Sequence, residues 1–153
     1  MNNNAGVTHV DHIGFAVSSL DKAIRFYTEA LGFTLERQAE MGGDFLRQVT
    51  GVDDPNVRTA ILKAPDGFIV ELLQYSNGRR HGQTPESAGA IGAAHLALTV
   101  RDIHAAIARV EAAGWKANGS PQPIPGGPRK GTRVVYVSGP DHLTIEFMQP
   151  PGP

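Results

Sequence analysis

The chain has 153 residues, with 14 Lys and Arg against 15 Asp and Glu and a formal net charge of -1, so it lacks the basic excess of a nucleic-acid-binding protein. It contains no cysteine, which excludes disulfides, thiolate metal sites and a thiol nucleophile and leaves nitrogen and oxygen as metal ligands. Neither a signal peptide nor a run of roughly 18 apolar residues is present. We therefore expect a soluble, cytoplasmic protein.

The first predicted element is a strand that contains His12, and it recurs later in the chain. Segment 11–17 (DHIGFAV) overlays segment 94–100 (AHLALTV), and His12 falls on His95. Alternation along the strand places Ile13, Phe15 and Val17 on one face. The histidine then lies on the opposite face, beside small residues.

Each strand leads into a predicted amphipathic helix. Ser19 and Asp102 are good N-cap residues, and apolar residues follow each of them at helical spacing. Gly32 and Gly114 come after the last apolar residue of each helix, as is typical of helix C-termini.

The next matching segments are predicted hairpins. Segment 64–74 overlays segment 139–149, which aligns Glu71 with Glu146 and gives each hairpin a Pro-Asp turn. The third strands are expected at 59–63 and 133–137. Segments 38–56 and 118–132 are predicted to be long polar loops, the first of which could contain a short strand.

The repeat predicts two βαβββ modules, 7–75 and 91–150, joined by a linker at 76–90 that is rich in Ser, Gly, Pro and charged residues. Either module alone is too small to bury an adequate core, so we expect one domain.

Four polar side chains occupy apolar strand positions at matched places in the repeat, and all could converge on one divalent ion: His12, Glu71, His95 and Glu146. Two carboxylates would neutralise the charge of the ion. A single strand histidine is more often a core residue with satisfied hydrogen bonds, and a single strand glutamate usually faces solvent. Four such residues at paired positions favour the metal site.

At these residues the sequence resembles the vicinal oxygen chelate superfamily, which includes glyoxalase I, methylmalonyl-CoA epimerase, extradiol dioxygenases and bleomycin-resistance proteins. The resemblance covers 10–149 and includes the motifs DHI (11–13), AIRFY (23–27) and PDG (65–67). It implies an α+β, glyoxalase-like fold in which tandem βαβββ modules form an open, strongly curved, eight-stranded mixed sheet.

By resemblance, His12, Glu71, His95 and Glu146 hold one divalent ion per chain, with Ni, Co, Zn, Mn and Fe as candidates. The expected activity is that of a lyase, isomerase or epimerase that moves a proton next to a carbonyl in a small substrate with vicinal oxygens. Glu146 is the first candidate for the base and Glu71 the second. The resemblance also implies a homodimer, and the metal site could lie within one chain or across the dimer interface.

Departures from individual family members leave alternatives open. Ala16 and Tyr75 stand where glyoxalase I has an arginine for the glutathione carboxylate and an asparagine, which argues against glutathione. Glu71 stands where methylmalonyl-CoA epimerase has a glutamine. An extradiol Fe(II) dioxygenase would use only three of the four ligand positions, and a metal-free drug-binding protein would use none.

The loop 126–133 is basic and precedes a predicted strand. Lys130 and Arg133 are therefore candidates for binding an anionic group of the substrate. Loop cations exposed to solvent are an equally good interpretation.

Overall fold

A computed structural model describes residues 6–53, 55–76, 85 and 87–152. The first half contains the strands β1 (Ile13–Ala16), β2 (Thr34–Gly42), β3 (Asn56–Lys63) and β4 (Ile69–Tyr75). They form a sheet in the order β1-β4-β3-β2, in which β1 and β4 are parallel and the other pairs antiparallel. The predicted hairpin with its turn at 65–67 is β3 and β4.

The second half builds a related sheet from β5 (His95–Thr99), β6 (Lys116–Ala117), β7 (Gln122–Pro123), β8 (Arg133–Ser138) and β9 (Thr144–Gln149). Its order is β5-β9-β8-β6, and β7 also pairs with β8. The predicted α+β class and the repeated module are confirmed. Within this chain the described strands form two separate sheets and do not join into one.

The two predicted helices begin directly after their predicted N-cap residues. Helix α1 (Leu20–Arg25) begins after Ser19, and a turn of π-helix, Phe26–Ala30, continues it. Helix α3 (Ile103–Ala112) begins after Asp102, whose side chain accepts hydrogen bonds from two backbone N–H groups. Gly32 and Gly114 follow with φ of 76° and 91°, a conformation that favours glycine.

The two modules share one core on the helix side of their sheets. The core cluster contains Phe26 and Leu72 from the first half and Val110 and Val135 from the second. The Phe26 and Trp115 rings meet edge to face with centroids 4.9 Å apart. Since the helix layers are turned toward each other, the other face of each sheet is left open.

Segment 38–56 contains the short strand allowed for above, because β2 continues to Gly42. It also contains a helix that was not expected, α2 (Gly43–Thr50). Leu46 of α2 is buried, whereas Phe45 and Val49 are 72% and 67% exposed. The sequence pattern did not predict this helix, because its apolar residues are few and glycines bound it on both sides.

The predicted linker 76–90 lies mostly outside the described residues, which omit 77–84 and 86. Among the residues that are described, none of the helices has the length and apolar character needed to span a bilayer.

Candidate metal-binding and active site

The first candidate pair is His12 with Glu71. In the parallel pairing of β1 and β4, Gly14 lies opposite Glu71, and His12, two residues earlier, shares its face. The His12 Nε2 and Glu71 Oε2 atoms are 3.3 Å apart. A Cβ atom at Gly14 would lie 3.3 Å from Leu73 Cδ1 and 4.0 Å from Glu71 Oε2.

The second pair, His95 with Glu146, repeats this geometry. Ala97 lies opposite Glu146 in the pairing of β5 and β9, and the His95 Nε2 and Glu146 Oε2 atoms are again 3.3 Å apart. The histidine side chains are 42% and 43% exposed and the glutamates 19% and 17%. The repeat therefore produces two matching half-sites, each accessible to solvent.

The structure brings the four predicted ligands together in pairs and not as one set. Within the described ranges, no group of three or more His, Asp or Glu side chains is close enough to hold a metal ion. Each pair nevertheless offers an imidazole nitrogen and a carboxylate oxygen on an open sheet face, which are donors suited to first-row divalent metals. The donor chemistry fits a metal, and a complete set needs both pairs.

A neighbouring carboxylate orients His12. Its Nδ1 lies 2.7 Å from Asp11 Oδ1, and this hydrogen bond is the main cause that raises the pKa of His12. The same contact lowers the pKa of Asp11. With Nδ1–H donating to Asp11, Nε2 carries the lone pair that a metal needs.

Tyr136 is a residue of the second half-site that the sequence analysis missed. In the pairing of β8 and β9 it lies opposite Glu146, and its hydroxyl is 3.5 Å from His95 Nε2. The equivalent position opposite Glu71 is Ile61. The register of the hairpin, counted outward from its Pro-Asp turn, would have placed Tyr136 on this face.

In the described part of the chain, neither of the predicted substrate-binding cations, Lys130 and Arg133, forms a hydrogen bond or ion pair with His95 or Glu146. Arg133 is opposite Gln149 in β8 and β9 and shares its face with the buried Val135, so it is on the side away from Tyr136. Lys130 is an exposed turn residue whose N–H donates to Gly127 O.

In the loop 126–133, Arg129 contacts the sheet face that carries Glu146. Its Nη1 donates to Met148 Sδ at 3.2 Å, and Met148 lies two residues after Glu146 on the same strand face. Sequence patterns alone could not distinguish Arg129 from its basic neighbours, because a loop conformation decides which side chain points inward.

A sequence model of the "Glyoxalase/Bleomycin resistance protein/Dioxygenase superfamily" matches residues 9–147. The chain is 32% identical to 2-epi-5-epi-valiolone epimerase from Actinomyces sp over 152 residues, which is 95% of this chain and 81% of that protein. It is 28% identical to lactoylglutathione lyase GLX1 from Arabidopsis thaliana over 90% of this chain and 43% of that one. The chain therefore spans less than half of the plant relative.

A glyoxalase family protein from Bacillus cereus has a similar solved structure. The TM-score is 0.85 at 26% sequence identity, and the match covers 99% of both chains. The likeness thus extends to the arrangement of the two modules and not only to each module alone.

Proposed function

Because the chain belongs to the Glyoxalase/Bleomycin resistance protein/Dioxygenase superfamily, we propose that it is a divalent-metal-dependent epimerase or isomerase that moves a proton next to a carbonyl. The observation that carries this proposal is the pair of matching half-sites, each with a histidine nitrogen 3.3 Å from a glutamate oxygen. Relatives named as an epimerase and a lactoylglutathione lyase support this class of reaction.

The four ligands come together when two copies of the chain pair. In a twofold dimer, His12 and Glu71 of one protomer face His95 and Glu146 of its partner, and the symmetry provides two such sets, one per chain. A relative of about twice the length is consistent with two copies of this unit acting together. The bound ion would act as a Lewis acid toward the substrate's carbonyl and hydroxyl oxygens.

Glu146 is the proposed base. Its side chain is 17% exposed, Tyr136 lies opposite it in the sheet, and its carboxylate can take a proton from the carbon next to the carbonyl and return it. The Tyr136 hydroxyl lies beside His95 Nε2, where it can donate a hydrogen bond to a substrate oxygen. Glu71, which faces Ile61, has no such neighbour and is assigned the role of a ligand.

The substrate proposed is a small polyhydroxylated ketone rather than a glutathione adduct. Ala16 is exposed and small at the position where a glutathione carboxylate would need a cation. The epimerase relative, named for 2-epi-5-epi-valiolone, matches more of this chain than the plant lyase does.

The test is metal-dependent exchange of carbon-bound hydrogen with solvent. Protein purified without chelator is incubated anaerobically in D₂O with 2-epi-5-epi-valiolone or with lactoylglutathione, and deuterium incorporation is followed by NMR. We expect exchange into the ketone with Ni, Co, Zn or Mn bound, and loss of exchange after chelation.

Two outcomes would overturn this proposal. A strict requirement for Fe(II) and O₂ with a ring-opened product from a catechol would establish a dioxygenase. Absence of bound metal together with tight binding of an unaltered drug molecule would establish a binding protein.

A further inference from the structure

A pocket of about 460 Å³ lies on the helix side of the molecule, where the two modules meet. We call it the seam pocket; it is lined by Lys22 and Arg25 of α1, by Trp115 after α3 and by the turn 139–142 between β8 and β9. None of its lining residues belongs to the two His/Glu pairs. It is a cleft open to solvent on one side.

The charge of the seam pocket is positive. Lys22 and Arg25 are three residues apart on one side of α1, both are exposed, and neither forms an ion pair with any residue in the described part of the chain. The one lining carboxylate, Asp141, accepts a hydrogen bond from Ser18 N at 2.8 Å. The nearby Asp21 is paired with Arg58 at 3.2 Å and does not neutralise the two cations.

The matched positions of the second helix carry no charge. The second helix has Ala105 where the first has Lys22, and it has Ala108 where the first has Arg25. Lys22 and Arg25 line the pocket, whereas Ala105 and Ala108 do not.

The turn 139–142 forms the opposite wall of the pocket, and it also differs from its counterpart in the first module. Its counterpart in the first module has Gly67, with φ of 94°, whereas this turn has His142 with φ of 58°. A non-glycine residue in that conformation costs free energy. His142 therefore adds a side chain to the pocket wall where the first module has none.

We propose that the seam pocket binds a small organic phosphate monoester, with Lys22 and Arg25 contacting the phosphate. A phosphate group alone is much smaller than the pocket, so there is space for an organic body. Trp115, held against Phe26, provides an apolar wall for that body. This site is separate from the proposed reaction, and its occupancy can be measured without any turnover.

The experiment uses Trp115, the single tryptophan of the chain, as a local fluorescent reporter. The protein is titrated with glycerol phosphate through the millimolar range, with glycerol as the uncharged control. We expect a saturable change with glycerol phosphate and none with glycerol. The double variant Lys22→Ala/Arg25→Ala, which copies the second helix, should bind at least about tenfold more weakly, because charged hydrogen bonds carry such contacts.

Two control variants test whether the fluorescence change comes from binding in the seam pocket. Lys63→Ala removes an exposed cation that is paired with Glu36 and does not line the pocket, and it should leave the Kd unchanged. His95→Ala disables the candidate metal site and should also retain the response. Absence of saturation, an unchanged Kd in the double variant, or loss of the response in either control would overturn the proposal.

Discussion

Glu71 and Glu146 occupy equivalent strands and are almost equally exposed, but their neighbours differ. Tyr136 lies opposite Glu146, whereas Ile61 lies opposite Glu71. The two half-sites therefore differ in the residue opposite the glutamate, and also in the residue before the histidine, which is Asp11 in the first and Ala94 in the second.

We expect Glu146→Gln to lower the rate of proton exchange by roughly a hundredfold or more, since general-base assistance contributes about 10² to 10⁴ in rate. Glu71→Gln should have the milder effect on rate and the larger effect on metal affinity. Exchange rates and metal content of both variants, measured by NMR and by elemental analysis, distinguish the two roles. An equal loss of rate in both variants would contradict the assignment.

Tyr27 offers a prediction about stability. Its hydroxyl is buried and has no hydrogen-bonding partner among the described residues, and burial raises the pKa of this phenol. A buried, unpaired hydroxyl is destabilising, so we expect Tyr27→Phe to raise the free energy of unfolding by about 1 kcal/mol. Urea denaturation measures this difference. A decrease of similar size would reveal a partner such as a buried water molecule.

At the scale of single residues, the repeat identified His12, Glu71, His95 and Glu146 because it marks each type twice, but it predicted one set of four where the described residues form two His/Glu pairs. It did not predict Tyr136, which has no matching tyrosine in the first module. It also gave no means to rank Arg129 above Lys130 and Arg133, since the direction of a loop side chain depends on contacts made after folding.

The N-caps of the two repeated helices differ in the number and length of their hydrogen bonds. The Asp102 side chain accepts hydrogen bonds from His104 N at 2.9 Å and Ala105 N at 3.1 Å. Ser19 accepts one bond, from Lys22 N at 3.4 Å. Both caps were predictable from residue type and position, but the difference in their geometry was not.

We expect Asp102→Ala to lower the free energy of unfolding by about 1 kcal/mol, because an N-cap contributes roughly that amount, and Ser19→Ala to cost less. Asp102→Asn keeps the capping oxygen and should be close to wild type. Thermal denaturation followed by circular dichroism compares the three variants. A larger loss for Ser19→Ala than for Asp102→Ala would contradict this ranking.

At the scale of the whole molecule, the repeat predicted the α+β modules, but it could not predict which of their faces meet. Periodicity identifies the buried face of each sheet and each helix. It does not reveal that both helix layers enter one core, since apolar stripes in the two modules are compatible with several packing arrangements. That arrangement separates the two His/Glu pairs within a chain.

A site shared between protomers predicts complementation. His12→Ala and His95→Ala should each be inactive as homodimers, because every site then lacks one histidine. After the two variants are mixed and allowed to exchange subunits, each mixed dimer contains one site with both histidines intact. We expect activity to reappear, at no more than about a quarter of the wild-type value for random exchange. Mixtures that remain inactive after proven exchange would place the site within one chain.

The core on the helix side has a consequence for how the protein responds to dilution. The contacts that keep a chain folded, such as Phe26 against Trp115, are not the contacts that would bring the two His/Glu pairs of different protomers together. Below the dissociation constant of the dimer, each chain should keep its circular dichroism spectrum while activity per chain disappears, and concentrating the sample should restore it. The cellular abundance of the chain would then act as a reversible switch, set by synthesis and degradation and independent of any effector.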